Sequence, residues 1–130
     1  MTDPTASQPL LLVVDDDPSI LLLIDVIAER LGFRVKAATS GLQALEQLRD
    51  GLHPNVILLD LMMERIDGVT FLVHLKEMAE VADTPVVAMS TEAVLDQYGP
   101  QLEVAGTLIK PLTRHSLASC LERYLPAQTE

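Results

Sequence analysis

The 130 residues suffice for one domain with its own core and leave little room for a second, so any effector region is expected on another polypeptide. A formal net charge of −10, with no basic cluster along the chain, disfavours direct nucleic-acid binding. The single cysteine, Cys120, has no intramolecular partner, residues 1–9 carry no targeting pattern and no apolar run is long enough to cross a bilayer, so a cytoplasmic location without membrane insertion is expected.

Leu10 to Val14 form a continuous apolar run that stops at Asp15-Asp16-Asp17-Pro18, which predicts a buried strand entering a loop, with Asp17 as N-cap and Pro18 opening a helix. Helical spacing predicts that helix over Pro18 to Leu31, with Ile20, Ile24, Ile27 and Leu31 facing inward. Leu22 and Val26 add apolar surface off that face, as extra core or as a docking surface. Val35 to Ala38 reads as a second strand, and Ser40 with Gln43 has the spacing of a capping box opening a helix over Gly41 to Arg49. Then follow a strand at Val56 to Leu59, a helix at Gly68 to Met78 and a strand at Val86 to Met89. A fourth helix over Glu92 to Leu102 should be broken or kinked by Gly99-Pro100. A short strand at Leu108 to Ile109 and a helix at Arg114 to Leu125 complete the chain, and Gly32, Gly51 and Gly106 are expected where helices stop. Five strands apolar on both faces, alternating with helices, imply an α/β fold: a parallel sheet covered on each side through right-handed crossovers.

The polar residues that interrupt this pattern share one location. Asp15 and Asp16 follow the first strand, Asp60 closes the third, Ser90 the fourth and Lys110 the fifth. Open α/β sheets bind ligands in the crevice outside the carboxyl ends of their strands. Three carboxylates gathered there repel one another unless a cation compensates, and oxygen-only donors favour Mg²⁺, with Mn²⁺ also suitable, over zinc. Lys110 adds a second positive charge and Ser90 a hydroxyl donor, so metal, ammonium and hydroxyl together are equipped to hold a phosphoryl group. An Asp carboxylate is already ionised at neutral pH, so a nucleophilic Asp60 needs no histidine base.

Val13-Val14-Asp15-Asp16-Asp17-Pro18, Asp60 with Asp67-Gly68, then Ser90 and Lys110-Pro111 resemble the receiver domains of two-component response regulators. The resemblance covers roughly Pro9 to Leu125, and it implies the doubly wound, flavodoxin-like (CheY-like) sheet with strand order 2-1-3-4-5. It places the receiver domain at residues 9–126, with polar tails at 1–8 and 127–130, and the length leads us to expect no output domain. In its terms Asp60 is the phosphoacceptor, Asp16 a direct metal ligand and Asp15 a ligand acting directly or through water. Met62 would offer its backbone carbonyl to the metal, Ser90 and Lys110 would contact the phosphoryl oxygens, and Thr107 with Ser90 would form the switch. The implied partners are a sensor histidine kinase or histidine phosphotransfer protein and a downstream protein, and the chain would be a signalling phosphoacceptor that assists its own phosphorylation and dephosphorylation rather than an enzyme.

Three positions depart from the family pattern. Glu64 stands where the family often has proline, Leu112 replaces the aromatic residue that commonly follows Lys-Pro, and Thr107 replaces an aromatic switch residue. Competing readings are weaker. A haloacid-dehalogenase-type phosphatase wants a second Asp at the position of Met62, and a dinucleotide site wants a glycine-rich turn where Asp15-Asp16-Asp17 would repel a pyrophosphate. A receiver-like interaction module acting without phosphorylation is the remaining alternative. His53, His74 and His115 show neither ligand nor triad spacing, and no role is assigned to them.

Overall fold

The computed structural model describes residues 8–63 and 67–126. Its strands are β1 (Leu10–Val14), β2 (Arg34–Ala38), β3 (Val56–Asp60), β4 (Val86–Ser90) and β5 (Gly106–Ile109). All pair in parallel in the order β2-β1-β3-β4-β5, which is the expected doubly wound topology. The helices are α1 (Pro18–Leu31), α2 (Gly41–Arg49), α3 (Gly68–Lys76), α4 (Glu92–Tyr98) and α5 (Arg114–Glu122). The period-two alternation of side chains divides the core into two layers. Leu12, Val14, Ile57, Leu59, Val86 and Ala88 pack under α2, α3 and α4, through residues such as Leu45, Phe71, Leu75 and Leu95. Leu11, Val13, Val56, Leu58, Val87 and Met89 point the other way, against Ile24 and Ile27 of α1 and Leu117 and Leu121 of α5. Burial on both faces explains why β1, β3 and β4 have no polar alternation, while the edge strand β2 keeps Arg34 and Lys36 exposed.

Helix ends follow local chemistry. Asp17 accepts a hydrogen bond from Ser19 N–H with Pro18 at the first helical position, and Gly32 ends α1 in the left-handed region at φ 107°. Ser40 caps α2 by accepting from Gln43 N–H, but the Gln43 side chain reaches back to Thr39 N–H rather than to Ser40, so the capping box is only half formed. The complete reciprocal box is at Thr113 and Ser116, opening α5. Gly99-Pro100 ends α4 as expected, and the chain continues as a 3-10 turn over Gly99–Gln101. Helices α3 and α5 stop at Lys76 and Glu122, short of the expected Met78 and Leu125. Gly106, expected as a helix stop, instead opens β5. The tails at 1–7 and 127–130 and the departure at Glu64 lie outside the described residues.

One glycine is required by close approach. A Cβ on Gly68 would come within 2.6 Å of Leu61 Cα and 2.7 Å of the Asp60 carbonyl oxygen, so the start of α3 is seated directly on the end of β3. Both obstacles are backbone and cannot rotate away. Gly68→Ala is expected to destabilise the fold by roughly 1–3 kcal/mol, as overpacking does, and to shift the amide resonances of Asp60 and Leu61. Chemical denaturation with an amide spectrum checks both, and a variant of unchanged stability would contradict the close seating.

Candidate functional site

Strand register brings the polar residues together. Val14 is paired with Leu59, Asp60 with Met89 and Ser90 with Ile109, so Asp15, Asp60, Ser90 and Lys110 leave neighbouring strands at the same end of the sheet. Backbone bonds hold the emerging loops to that register: Leu61 N–H donates to Met89 O at 3.1 Å and Lys110 N–H to Ser90 O at 2.8 Å. One carboxylate oxygen from each of Asp15, Asp16 and Asp60 lies within 4.8 Å of the other two. Asp15, Asp60 and Ser90 are 0%, 4% and 1% exposed, whereas Asp16 faces solvent. The site is thus a buried floor with an open acidic rim.

Among the described residues, each buried polar group of this site is partnered except one. Asp15 Oδ1 accepts from Asp17 N–H at 2.9 Å and its Oδ2 from Lys110 Nζ, also at 2.9 Å. Lys110 Nζ lies 3.4 Å from Asp60 Oδ2, and Asp60 Oδ1 accepts from Met62 N–H at 3.1 Å. Met62 therefore enters the site through its backbone, with its side chain exposed. Ser90 Oγ is buried and has no hydrogen-bond partner. Ser90 does not cap α4, because Thr91 does so by accepting from Val94 N–H. A buried hydroxyl without a partner is unfavourable by roughly 1–3 kcal/mol, and it is available to a ligand at the neighbouring strand end. Thr107 is exposed on β5, paired with Ala88, and Leu112 packs against the core layer under α1 and α5.

Electrostatics follow the burial. Burial pushes the Asp60 carboxyl above its ordinary value; the Met62 N–H opposes this, Asp15 beside it reinforces it, and Lys110 opposes it. For Lys110, burial pulls its value down, but the hydrogen bond to Asp15 and the charges of Asp60 and Asp15 outweigh it, so the ammonium is held above 10.5. Among the described residues, three carboxylates facing one ammonium leave the site negative. All-oxygen donors with this charge fit a hard divalent cation such as Mg²⁺, and the orphaned Ser90 hydroxyl fits an oxyanion held beside it. The histidines stand apart from this site. His53 lies 3.7 Å from Glu80 on the surface, and His115 is exposed.

Five parallel strands in this order, with an acidic cluster at their carboxyl ends, define a CheY-like receiver fold, and the comparisons agree. Residues 11–122 match the response regulator receiver domain family, to which the chain belongs. It is 28% identical over 120 residues to protein PilG of Pseudomonas aeruginosa, covering 91% of this chain and 88% of PilG. It is 35% identical over 83 residues to the DNA-binding dual master transcriptional regulator RpaA of Synechocystis, covering 64% of this chain and 34% of RpaA. The chain spans about half or less of the length of the transcriptional regulators it matches. Among solved structures, the chemotaxis response regulator CheY4 of Vibrio cholerae superposes with a TM-score of 0.83 at 26% identity, over 92% of this chain and 100% of CheY4.

Two supporting residues carried no assigned role in the sequence. Gly68 sets the approach of α3 to β3, and Asp67 caps α3 by accepting from Thr70 N–H at 2.8 Å. An Asp immediately before a helical apolar pattern was the available signal for the cap; the need for glycine depends on a contact across seven residues that no local pattern reveals.

The raised Asp60 value has a definite sign. Its carboxyl binds a proton more tightly folded than unfolded, so above pH 3.8 the folded state holds more protons and stability falls as pH rises through the folded value. Asp60→Asn removes that titration. In EDTA, the unfolding free energy of the natural protein is expected to fall relative to Asp60→Asn as pH climbs above 3.8, levelling off once the folded carboxyl is ionised. Urea denaturation across pH checks this, and parallel profiles would contradict it.

Proposed function

We propose that the chain is a receiver that accepts a phosphoryl group on Asp60 from a phosphohistidine of a sensor histidine kinase or histidine phosphotransfer protein, with Mg²⁺ required. The observation that carries this is the Asp60 carboxylate at the strand end, 3.4 Å from Lys110 Nζ and beside a buried hydroxyl without a partner. A carboxylate oxygen of Asp60 attacks phosphorus, the bond from phosphorus to the donor nitrogen breaks, and the imidazole leaves with the electron pair. Lys110 and Ser90 supply an ammonium and a hydroxyl to the phosphoryl oxygens, with Lys110 exchanging one of its carboxylate contacts for the new oxyanion. Asp15, Asp16, Asp60 and the Met62 backbone carbonyl would hold the cation, which when bound neutralises charge between nucleophile and phosphate; Mn²⁺ suits the same donors.

A cytoplasmic setting agrees with the absence, among the described residues, of a helix long and apolar enough to cross a membrane. Output is by protein contacts. Ser90 moves to satisfy its hydroxyl on the phosphoryl group and thereby biases the Thr91 loop and α4, a short helix that already gives way to a 3-10 turn at Gly99. Thr107 is too small to act as a bulky gate. The donor approaches over α1, where Leu22 and Val26 are 65% and 40% exposed beside the site's loops.

Incubation with acetyl phosphate and Mg²⁺ is expected to add one phosphoryl mass to the chain, absent in Asp60→Asn and abolished by EDTA. Ser90→Ala should still label, slowed by roughly 100-fold or more, the usual range for losing a preorganised donor. Intact-protein mass spectrometry reads all three; undiminished labelling of Asp60→Asn would move the acceptor to another residue, and no labelling of the natural protein would overturn the assignment in favour of a module that signals without phosphorylation. Leu22→Glu should label normally with acetyl phosphate yet weaken kinase docking by ~1 kcal/mol or more, seen as slowed transfer from the cognate kinase; an unchanged rate would remove α1 as the docking surface.

A further inference from the structure

Among the described residues, eight large apolar side chains are exposed, and four of them, Met62, Val69, Val73 and Tyr98, lie along one groove. Its walls are α3 on one side and α4 with the following 3-10 turn on the other. Two cavities of about 670 and 420 Å³ make it up, and they share Val69 and Gln101, so the depression is continuous from the loop after Asp60 to the far end of α3. The floor is apolar, from Leu61, Leu72, Val94 and Leu102. Val69 and Val73 are one turn apart on α3 and 40% and 56% exposed, a stripe that no other element of the described chain covers. Scattered surface apolar residues need no explanation; a row of them lining a groove marks a contact surface.

The rim decides what fits. Its charged residues among those described are Asp67, Glu77 and Glu103 against Lys76, whose ammonium donates to Ala82 O at 3.2 Å. An acidic rim over an apolar floor selects an occupant with apolar anchors and basic flanks. The nine residues of α3 rise about 14 Å, which matches two to three turns of a helix laid alongside. A second copy of the chain, itself at −10, is repelled. Residues 1–7 and 127–130 contain neither Lys nor Arg and offer nothing to the rim.

We propose that the α3–α4 groove docks a basic amphipathic helix of a partner protein, seating apolar side chains on Val69, Val73 and Tyr98 with lysines or arginines opposite Asp67, Glu77 and Glu103. This surface is separate from the exposed patch on α1. The groove begins at Leu61 and Met62, directly after Asp60, so an occupant there touches the segment that follows the site. Docking itself does not depend on phosphoryl transfer, and its test uses no phosphodonor.

The test titrates the full ¹⁵N-labelled chain with a synthetic helical peptide of about four turns, bearing leucines at i, i+4 and i+7 and lysines on its flanks. A twin peptide replaces every lysine with glutamate. Saturable shifts at Val69, Val73, Tyr98 and Gln101 are expected for the lysine peptide, with affinity falling as salt rises and about tenfold or more weaker for the glutamate twin. Val73→Glu, at an exposed helix position, and Glu103→Lys should each weaken the lysine peptide by about tenfold while the rest of the spectrum stays unchanged. No saturable binding, equal affinity of the twin, shifts confined to α1, or self-association of the free chain through this face would each overturn the proposal.

Discussion

Gathering three carboxylates at the end of a parallel sheet costs electrostatic free energy, and the surrounding structure is arranged to sustain that cost. Asp15 is wholly buried, Asp60 nearly so, and of the described residues only Lys110 lies among them as a counter-charge. Lys110 is itself placed by the register of β5 against β4, at the edge of the sheet farthest from β1, where Asp15 begins. Lys110 and Asp15 are 95 residues apart in sequence, so their 2.9 Å contact requires every intervening strand to be in register. A slip of one residue in β1, β3, β4 or β5 would turn its side chains to the other face and remove a member of the cluster.

The apolar strands are what make that register reliable. Side chains of β1, β3 and β4 are buried on both faces, so each strand is fixed by two packing layers rather than one. The same rigidity leaves the loops beyond the strand ends to carry change. Ser90 is fixed as the last residue of β4 while its hydroxyl is unsatisfied, and the helix that follows is short and interrupted by Gly99-Pro100. A rigid floor that holds one unsatisfied donor, next to a weak helix, is a physical basis for converting a local binding event into a shift of population.

Much of this was legible in the sequence because the relevant signals are local. Apolar runs bounded by Asp or Pro marked the strands, the spacing of Ile24 and Ile27 marked the inner face of α1, and Asp17-Pro18 marked its start within a residue. The ends of α3 and α5 were read too long because apolar spacing continues past the last hydrogen-bonded turn: Met78 and Leu125 still pack on the core from irregular backbone. Gly106 misled as a stop because glycine at a strand start looks the same as glycine after a helix. Topology came through resemblance, and the burial of Asp15 relative to the exposed Asp16 is a property of the folded crevice that no adjacent-residue pattern encodes. The groove between α3 and α4 escaped notice for a related reason: its four exposed apolar residues come from three separate segments.

The central claim is that the acidic cluster is a cation site poised for phosphate, and calorimetric titration of Mg²⁺ into the EDTA-stripped, buffer-exchanged chain tests it most directly. The account predicts saturable binding of a single ion, lost in Asp16→Ala, whose exposed carboxylate contributes to the site without supporting the core. Absence of saturable heat in the natural protein, or an isotherm unchanged in Asp16→Ala, would contradict it.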